Sequence, residues 1–299
     1  MMKILCFGSL NVDYTYCVDH FTQKGETLSS DSMQIFGGGK GLNQSVALAR
    51  AGAPVYHAGA IGEDGVFLLE ILGQAGVNTD LIRINPQVRT GHAIIQNDRM
   101  GDNCILLYGG ANQTISRAYI DEVLGYFTDG DYLLLQNEIN ELSYLIDRAY
   151  EMGMKIVLNP SPMDEKVLKL PLDKIAVYIL NEVEAVQLLK EAVPAAADNH
   201  EPAVQIRKKY PDAVIVLTLG SNGSVYIDDM QTVIQTAYPA KAVDTTAAGD
   251  TFTGYLIAGM IRGEDPKEVM DEASRAASIA VTRSGAAPSI PARKEVNGG

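Results

Sequence analysis

The segment Asp244-Thr245-Thr246-Ala247-Ala248-Gly249-Asp250-Thr251-Phe252 sets small residues immediately before an apolar helical pattern that carries Phe252, Leu256 and Met260. Small side chains leave backbone N–H groups open. At a helix N-terminus such donors, reinforced by the helix dipole, can hold the oxygens of an anion such as a phosphoryl group in transfer. Ala247, Ala248 and Gly249 are the candidate donors, and Asp250 in the same turn is a candidate base for the hydroxyl that receives the group. A carboxylate at a helix start also serves as a plain dipole partner, so Asp250 alone does not establish catalysis.

A second cluster far upstream, Phe36-Gly37-Gly38-Gly39-Lys40-Gly41-Leu42-Asn43-Gln44, also opens a helical pattern, and its glycines suit a backbone that approaches a polar ligand closely. It is not a P-loop: Gly41 follows Lys40 where Ser or Thr is required, and Gln34 stands where the first glycine belongs. Nor is it a dinucleotide fingerprint, because Leu42 and Gln44 occupy the places of the closing glycine, which removes the case for a cofactor-binding oxidoreductase. Taken alone, the cluster also reads as a flexible connection.

The elements that must position these residues follow a regular rhythm. Short apolar runs at 3–8, 55–61, 132–136, 155–158, 176–180 and 214–219 read as buried parallel strands. Helical patterns at 41–51, 65–75, 120–127, 141–152, 182–191 and 202–210 alternate with them, and two longer ones follow at 248–262 and 266–283. The expected fold is therefore α/β, a doubly wound, mostly parallel sheet flanked by helices. Residues 12–36 and 90–108 break the rhythm with alternating β-formers and are expected to make a small separate sheet, placed as a lid over the strand ends where ligands bind. The Pro/Ala-rich stretch 193–202 reads as a surface loop.

Composition bounds the function from outside. A net charge of −13 argues against a general nucleic-acid or anionic-membrane surface, so any phosphate site must be local. Cys6, Cys17 and Cys104 form an odd set without metal-ligand spacing, which fits a reducing cytoplasm, and the N-terminal apolar run is too short for a secretory signal. One domain, 1–299, is expected to hold both sheets.

Together and in this order, the two glycine-containing segments resemble the signature regions of the ribokinase family of carbohydrate kinases (the PfkB type), which also holds fructokinases and adenosine kinases. Gly39, Asn43, Ser45, Gly52 and Gly62 fall at the family's spacing in the first region, and residues 244–254 match the second without a gap. The resemblance spans nearly the whole chain. It implies an ATP-dependent kinase that transfers the γ-phosphate to a primary hydroxyl, with Asp250 as base. Asn11, Asp13, Gly39, Asn43 and Glu138 match the family's sugar ligands, and Lys40 is a candidate partner of the transferred phosphate. Asn181 and Glu184 are similar to the N-x-x-E segment that organises Mg2+ and its waters. Thr218, Gly220, Ser221 and Gly223, with Asn181, Gly249 and Asp250, resemble the nucleotide-binding set. Asp244, Thr246, Ala280, Arg283, Gly285 and Ser289 match positions that surround a monovalent cation, so K+ is implied beside ATP and Mg2+. A homodimer joined through the lid is implied too. Asn11 and Asp13 also suit a turn, Asn181 and Glu184 a helix cap, residues 218–223 a hairpin, and Asp244 with Arg283 a structural ion pair.

Within the family the segments Thr90-Gly91-His92-Ala93-Ile94-Ile95 and Gly109-Gly110-Ala111-Asn112 look most like those of kinases that convert D-ribose to ribose 5-phosphate, with Ala93, Ile95 and Leu107 as the apolar wall of a small pocket. His92 departs from the usual apolar residue. A nucleoside, 2-deoxypentose or ketohexose remains open, the first because Tyr14, Tyr16 and Phe36 could stack on a base. A non-catalytic sugar-binding regulator is the remote alternative, which the presence of Asp250, Gly249, Asn181 and Glu184 disfavours.

Overall fold

The structure is a computed structural model and describes residues 2–100, 102–190 and 200–298. Its strands are β1 (Ile4–Phe7), β2 (Asn11–Cys17), β3 (Ser32–Gly38), β4 (Val55–Ile61), β5 (Asn78–Ile84), β6 (Gly91–Asn97), β7 (Asn103–Tyr108), β8 (Tyr132–Leu135), β9 (Lys155–Leu158), β10 (Val177–Asn181), β11 (Val214–Thr218), β12 (Ser224–Ile227) and β13 (Thr232–Gln235). The helices are α1 (Lys40–Arg50), α2 (Phe67–Ala75), α3 (Arg117–Leu124), α4 (Leu142–Glu151), α5 (Glu182–Leu189), α6 (Glu201–Lys209), α7 (Ala248–Arg262), α8 (Pro266–Ala280) and α9 (Arg293–Asn297).

Nine strands form one sheet in the order β13-β12-β11-β10-β9-β8-β1-β4-β5, parallel from β11 to β5 and antiparallel at β12 and β13. Each central strand is apolar on both sides because helices cover both faces. Along β1, Leu5 and Phe7 face a core built with α3, α4, α5 and α6, while Ile4 and Cys6 face a second core built with α1, α2, α7 and α8. This doubly wound arrangement places the helix N-termini at the carboxyl edge of the sheet. The other four strands form a separate sheet, β3-β2-β6-β7, drawn from the two segments that break the βα rhythm.

Three strands lie beyond those the sequence pattern identifies. β5 is an edge strand interrupted by Asn78, Asp80 and Arg83, and β12 and β13 form a short antiparallel edge. Neither has the continuous apolar run that marks a buried parallel strand. The last long helix stops at Ala280 rather than at residue 283, because the carbonyl of Val281 leaves the helical ladder and accepts the N–H groups of Val243 (2.8 Å) and Asp244 (3.2 Å). That diversion ties the loop before α7 to the end of α8. Of the expected loop at 193–202, residues 193–199 lie outside the described residues, as does residue 191 at the end of the expected helix 182–191. Pro202 sits in the first turn of α6, where its missing N–H costs no helical hydrogen bond.

α1 and α7 cross at Gly254: a Cβ there would lie 2.3 Å from the Ala47 side chain and 2.7 Å from the Leu48 nitrogen. No larger residue permits that approach, and it brings the first turns of the two helices together over the strand ends. The Ser45 hydroxyl meets His57 Nδ1 at 2.7 Å, fixing α1 to β4 from below. Among the described residues no helix is long and apolar enough to cross a membrane.

Candidate active site

A cleft of about 220 Å³ opens where these elements meet, lined by Lys40, Asn159, Asn181, Thr218, Gly249 and Asp250 among others. Asp250 lies in the first turn of α7 and is 7% exposed. Both its carboxylate oxygens are held: Asn43 Nδ2 donates to Oδ2 at 3.1 Å, and Gln44 Nε2 donates to Oδ1 at 2.9 Å. Two adjacent residues of α1 thus grip a carboxylate more than two hundred positions away. Ala247, at the helix start, adopts φ +60°, a left-handed conformation that costs an alanine roughly 1–2 kcal/mol, and it lines the cleft together with Gly249 of the first turn of α7. The Ala248 N–H makes only a long 3.3 Å bond to the Thr245 carbonyl, so it is partly engaged within the turn.

The residues expected to hold a sugar gather on the other side of the glycine cluster. Glu138, just after β8, accepts from the Ser9 hydroxyl and from the Lys40 N–H (3.0 Å), and Ser9 Oγ in turn accepts from the Gly41 N–H at 3.2 Å. Gly41 is required here: a Cβ would lie 2.5 Å from the Ser9 nitrogen, against backbone that cannot yield. Gly39 immediately precedes α1 beside Ser9 and Asn11. Asn11 opens β2, with its Oδ1 accepting from Asn112 Nδ2 at 2.7 Å. Asp13 lies against Gly38 in the lid sheet. Burial, with the neighbouring Glu138 charge adding to it, pushes the Asp13 carboxyl up to about 6. Asn43 Oδ1 is buried without a protein partner, directly beside Asp250.

Strand register decides which lid residues face this pocket. Side chains alternate along a strand, and β2, β3, β6 and β7 pair so that Ala93, Ile95, Leu107 and Phe36 share the face of Asp13. His92 does not. It projects from the opposite face against Tyr14 (ring centroids 5.8 Å apart) and Tyr108 (5.0 Å), with Nδ1 placed 3.2 Å from the Thr90 carbonyl. The expectation that His92 replaces an apolar pocket residue is therefore corrected, and Tyr14 and Tyr16 belong to that far face as well.

On the side expected to hold a nucleotide, Asn181 and Glu184 form a capping box: Asn181 Oδ1 accepts from the Glu184 N–H, and Glu184 Oε2 accepts from the Asn181 N–H, each at 2.9 Å. The cap is real, and both residues still line the cleft. Thr218 ends β11 at the cleft, its hydroxyl donating to the Leu180 carbonyl at 3.2 Å. Gly220, Ser221 and Gly223 form the short turn of the β11–β12 hairpin beyond the cleft lining, and Gly223 packs against the Gln235 carbonyl.

Asp244, Thr246 and Gly285 come together across the α8 end, with Thr246 N–H donating to Asp244 Oδ1 and Gly285 N–H to Oδ2, each at 2.9 Å. Burial opposes ionisation of Asp244, but these hydrogen bonds outweigh it and hold its carboxyl below the usual carboxylate range. Arg283 pairs with Glu295 (2.7 Å) instead of Asp244, which removes the structural ion pair as an explanation of Asp244. The Ala280 carbonyl accepts from the Arg283 N–H at 3.0 Å, and Ser289 is fully buried with its hydroxyl donating to the Ala286 carbonyl. Among the described residues no three His, Cys, Asp or Glu side chains cluster as a metal cage.

Ser9, Gln44, Asn112, Gln136 and Asn159 were not singled out as site residues from sequence, yet they make the hydrogen bonds that hold the site. The available signal was positional: Ser9, Gln136 and Asn159 each follow closely on an apolar run at the carboxyl end of a parallel strand, where ligands sit in such sheets.

The model of the pfkB family carbohydrate kinases matches residues 1–293. The ribokinase of Haemophilus influenzae is 34% identical to this chain, over 96% of it and 95% of the relative. Among solved structures, the ribokinase of Cryptococcus neoformans in complex with ADP is 31% identical with a TM-score of 0.88, covering 100% of this chain and 99% of that one. The Arabidopsis thaliana ribokinase complexed with ribose and ATP is 30% identical with a TM-score of 0.86, covering 100% and 98%.

The raised Asp13 carboxyl predicts a measurable cost of the site. A group whose folded pKa lies above its unfolded value adds stability below the unfolded pKa and loses it as pH rises through the folded one. Asp13→Asn is therefore expected to match the parent near pH 3.8 and to exceed it by about 3 kcal/mol above pH 6, read by urea denaturation of the ligand-free protein. A stability difference independent of pH would contradict this electrostatic reading.

Proposed function

The chain belongs to the pfkB family of carbohydrate kinases, and from that premise we propose that it transfers the γ-phosphate of ATP to the 5-hydroxyl of D-ribose, with Asp250 as general base. The observation that carries the reading is a buried carboxylate held at the N-terminus of α7, in the cleft and one hydrogen bond from Asn43. The similarity to ribokinases over the whole chain supports ribose as the sugar. Phosphoryl transfer needs positioning and charge stabilisation more than covalent chemistry, so few roles are required.

Asn11, Asp13, Gly39, Asn43 and Glu138 hold the sugar hydroxyls. Asp250 takes the proton of the attacking hydroxyl as the bond to phosphorus forms, and the first N–H groups of α7 at Ala247, Ala248 and Gly249 face the charge on the transferred group. Lys40, whose backbone N–H is held by Glu138, lines the cleft and supplies a cationic partner for the phosphates. Thr218 borders the nucleotide, and Gly220, Ser221 and Gly223 flank it from the hairpin turn. The small sheet closes over the sugar and excludes water that would otherwise accept the phosphate.

Mg2+ is expected to bind through the nucleotide phosphates and water near Asn181 and Glu184, where it neutralises phosphate charge; the lack of a protein cage among the described residues suits an ion that keeps most of its waters. The donor set at Asp244, Thr246, Ala280, Arg283, Gly285 and Ser289, one retained carboxylate with backbone and hydroxyl oxygens, suits a monovalent cation such as K+. It would act by stabilising the loop that leads into Ala247. We read residues 1–299 as one kinase unit with a lid, acting in the cytoplasm, where its three free thiols stay reduced.

The lid exposes Ile105, Leu106 and Leu107 on the edge strand β7, and Ile35 on the opposite edge strand β3, each more than half accessible. An apolar edge of this kind is normally covered, and pairing of two lids in a homodimer covers it. Sedimentation equilibrium is expected to give a dimer for the parent and a monomer for Leu106→Glu; a monomeric parent contradicts the pairing.

With Mg2+ and K+, the purified protein is expected to turn over D-ribose faster than 2-deoxyribose, fructose or nucleosides, and Asp250→Asn is expected to lower kcat by about 10²–10⁴-fold while folding normally. A better nucleoside or ketohexose would reassign the pocket. Near-normal Asp250→Asn turnover would remove the base, and no turnover on any acceptor would favour a sugar-binding regulator.

A further inference from the structure

Beneath Asp250 lies a chain of side-chain amides in which Gln44 and Gln136 are buried and Asn159 is half-buried at the cleft wall. Gln44 is fully buried, and its Nε2 donates both hydrogens, one to Asp250 Oδ1 and one to Asn159 Oδ1, each at 2.9 Å. Its Oε1 accepts from Gln136 Nε2 at 2.7 Å, and Gln136 is 1% exposed. Asn159 Nδ2 continues the chain to the Ile179 carbonyl at 2.9 Å, while its backbone N–H donates to the Leu135 carbonyl at 2.9 Å.

Chemistry fixes the orientation of every group in this chain. An ionised carboxylate only accepts, so Gln44 must present its amide nitrogen to Asp250. With that nitrogen shared between Asp250 and Asn159, the Asn159 oxygen faces Gln44 and its nitrogen faces Ile179, whose carbonyl again only accepts. Gln136 must then donate to the remaining Gln44 oxygen. Flipping any one amide sets donor against donor or acceptor against acceptor, and in a buried site each such loss costs about 1–3 kcal/mol.

We propose that Gln44, oriented by Gln136 and Asn159, is a positioning residue for phosphoryl transfer: it locks Oδ1 of Asp250 to the ends of β8 and β9 and so aims Oδ2, beside the unpaired Asn43 Oδ1, at the attacking hydroxyl. The inference rests on the assignment of Asp250 as the base. Gln44 acts only through that carboxylate, so its removal leaves sugar and nucleotide binding in place and reduces the frequency with which the base is aligned. A misplacement near 1 Å lowers such a step by about 10²-fold.

The test is a double-mutant cycle. Gln44→Met is expected to lower kcat by about 10- to 100-fold with the KM values for ribose and ATP within about threefold of the parent, and with one ribose bound per chain by calorimetry. In the Asp250→Asn background the same substitution is expected to change kcat by less than about twofold, because the group it positions is already disabled. If Gln44→Met turns over like the parent while Asp250→Asn is disabled, the positioning role is wrong and the base stands. If Asp250→Asn itself stays active, the base assignment fails first. Equal losses from Gln44→Met in both backgrounds, or a kcat loss matched by a lost fraction of binding sites, mark a structural role and overturn the proposal. Should Gln44→Met fail to fold, Gln136→Met carries the test: it leaves both hydrogen bonds to Asp250 in place and frees the Gln44 amide, and is expected to lower kcat by several-fold with KM unchanged, whereas parental kcat overturns the proposal.

Discussion

The structure depends on the close crossing of α1 and α7 at Gly254, which sets the first turns of both helices side by side over the strand ends. Everything chemical in the cleft follows from that contact. Asn43 and Gln44 of α1 reach the carboxylate of Asp250 on α7, and Lys40 at the start of α1 lines the cleft together with Ala247, which turns the chain into α7. A residue larger than glycine at 254 would separate the helices, and Asp250 would lose both of its amide partners at once.

The site carries costs that the rest of the fold offsets. Asp13 and Glu138 bring two carboxylates into one pocket, and burial raises the Asp13 carboxyl far above its ordinary range. Ala247 holds a left-handed backbone, and Asn43 Oδ1 is buried without a protein partner. Each is unfavourable in the empty protein and becomes useful when sugar hydroxyls and phosphate oxygens supply the missing partners. The two apolar cores on either face of the nine-stranded sheet supply the stability that tolerates them.

Much of this was legible in the sequence. Continuous apolar runs mark β1, β4, β8, β9, β10 and β11 because strands buried on both faces admit few polar residues, and Asp250 and Gly39 lie in small-residue segments that open helices. What escaped had no periodic signal. The edge strands β5, β12 and β13 are short and partly polar, and the end of α8 is set by a tertiary bond from Val281 to the loop before Asp244. His92 looked like a pocket residue because local sequence does not say which face of an unpaired strand will turn inward; register with β2 and β7 decides that. Gln44, Gln136 and Asn159 are ordinary polar residues until the fold places them in one hydrogen-bonded chain.

In this account the phosphoryl group passes directly from ATP to the sugar oxygen, with Asp250 moving only a proton. The same buried carboxylate would, in a different mechanism, attack phosphorus itself and form an aspartyl phosphate before handing the group on. The stereochemical course with ATP made chiral at the γ-phosphorus by oxygen isotopes separates the two, since each in-line displacement inverts the phosphorus. Inversion in the sugar phosphate is the predicted result; retention would mean two displacements and would contradict the assignment of Asp250 as a base.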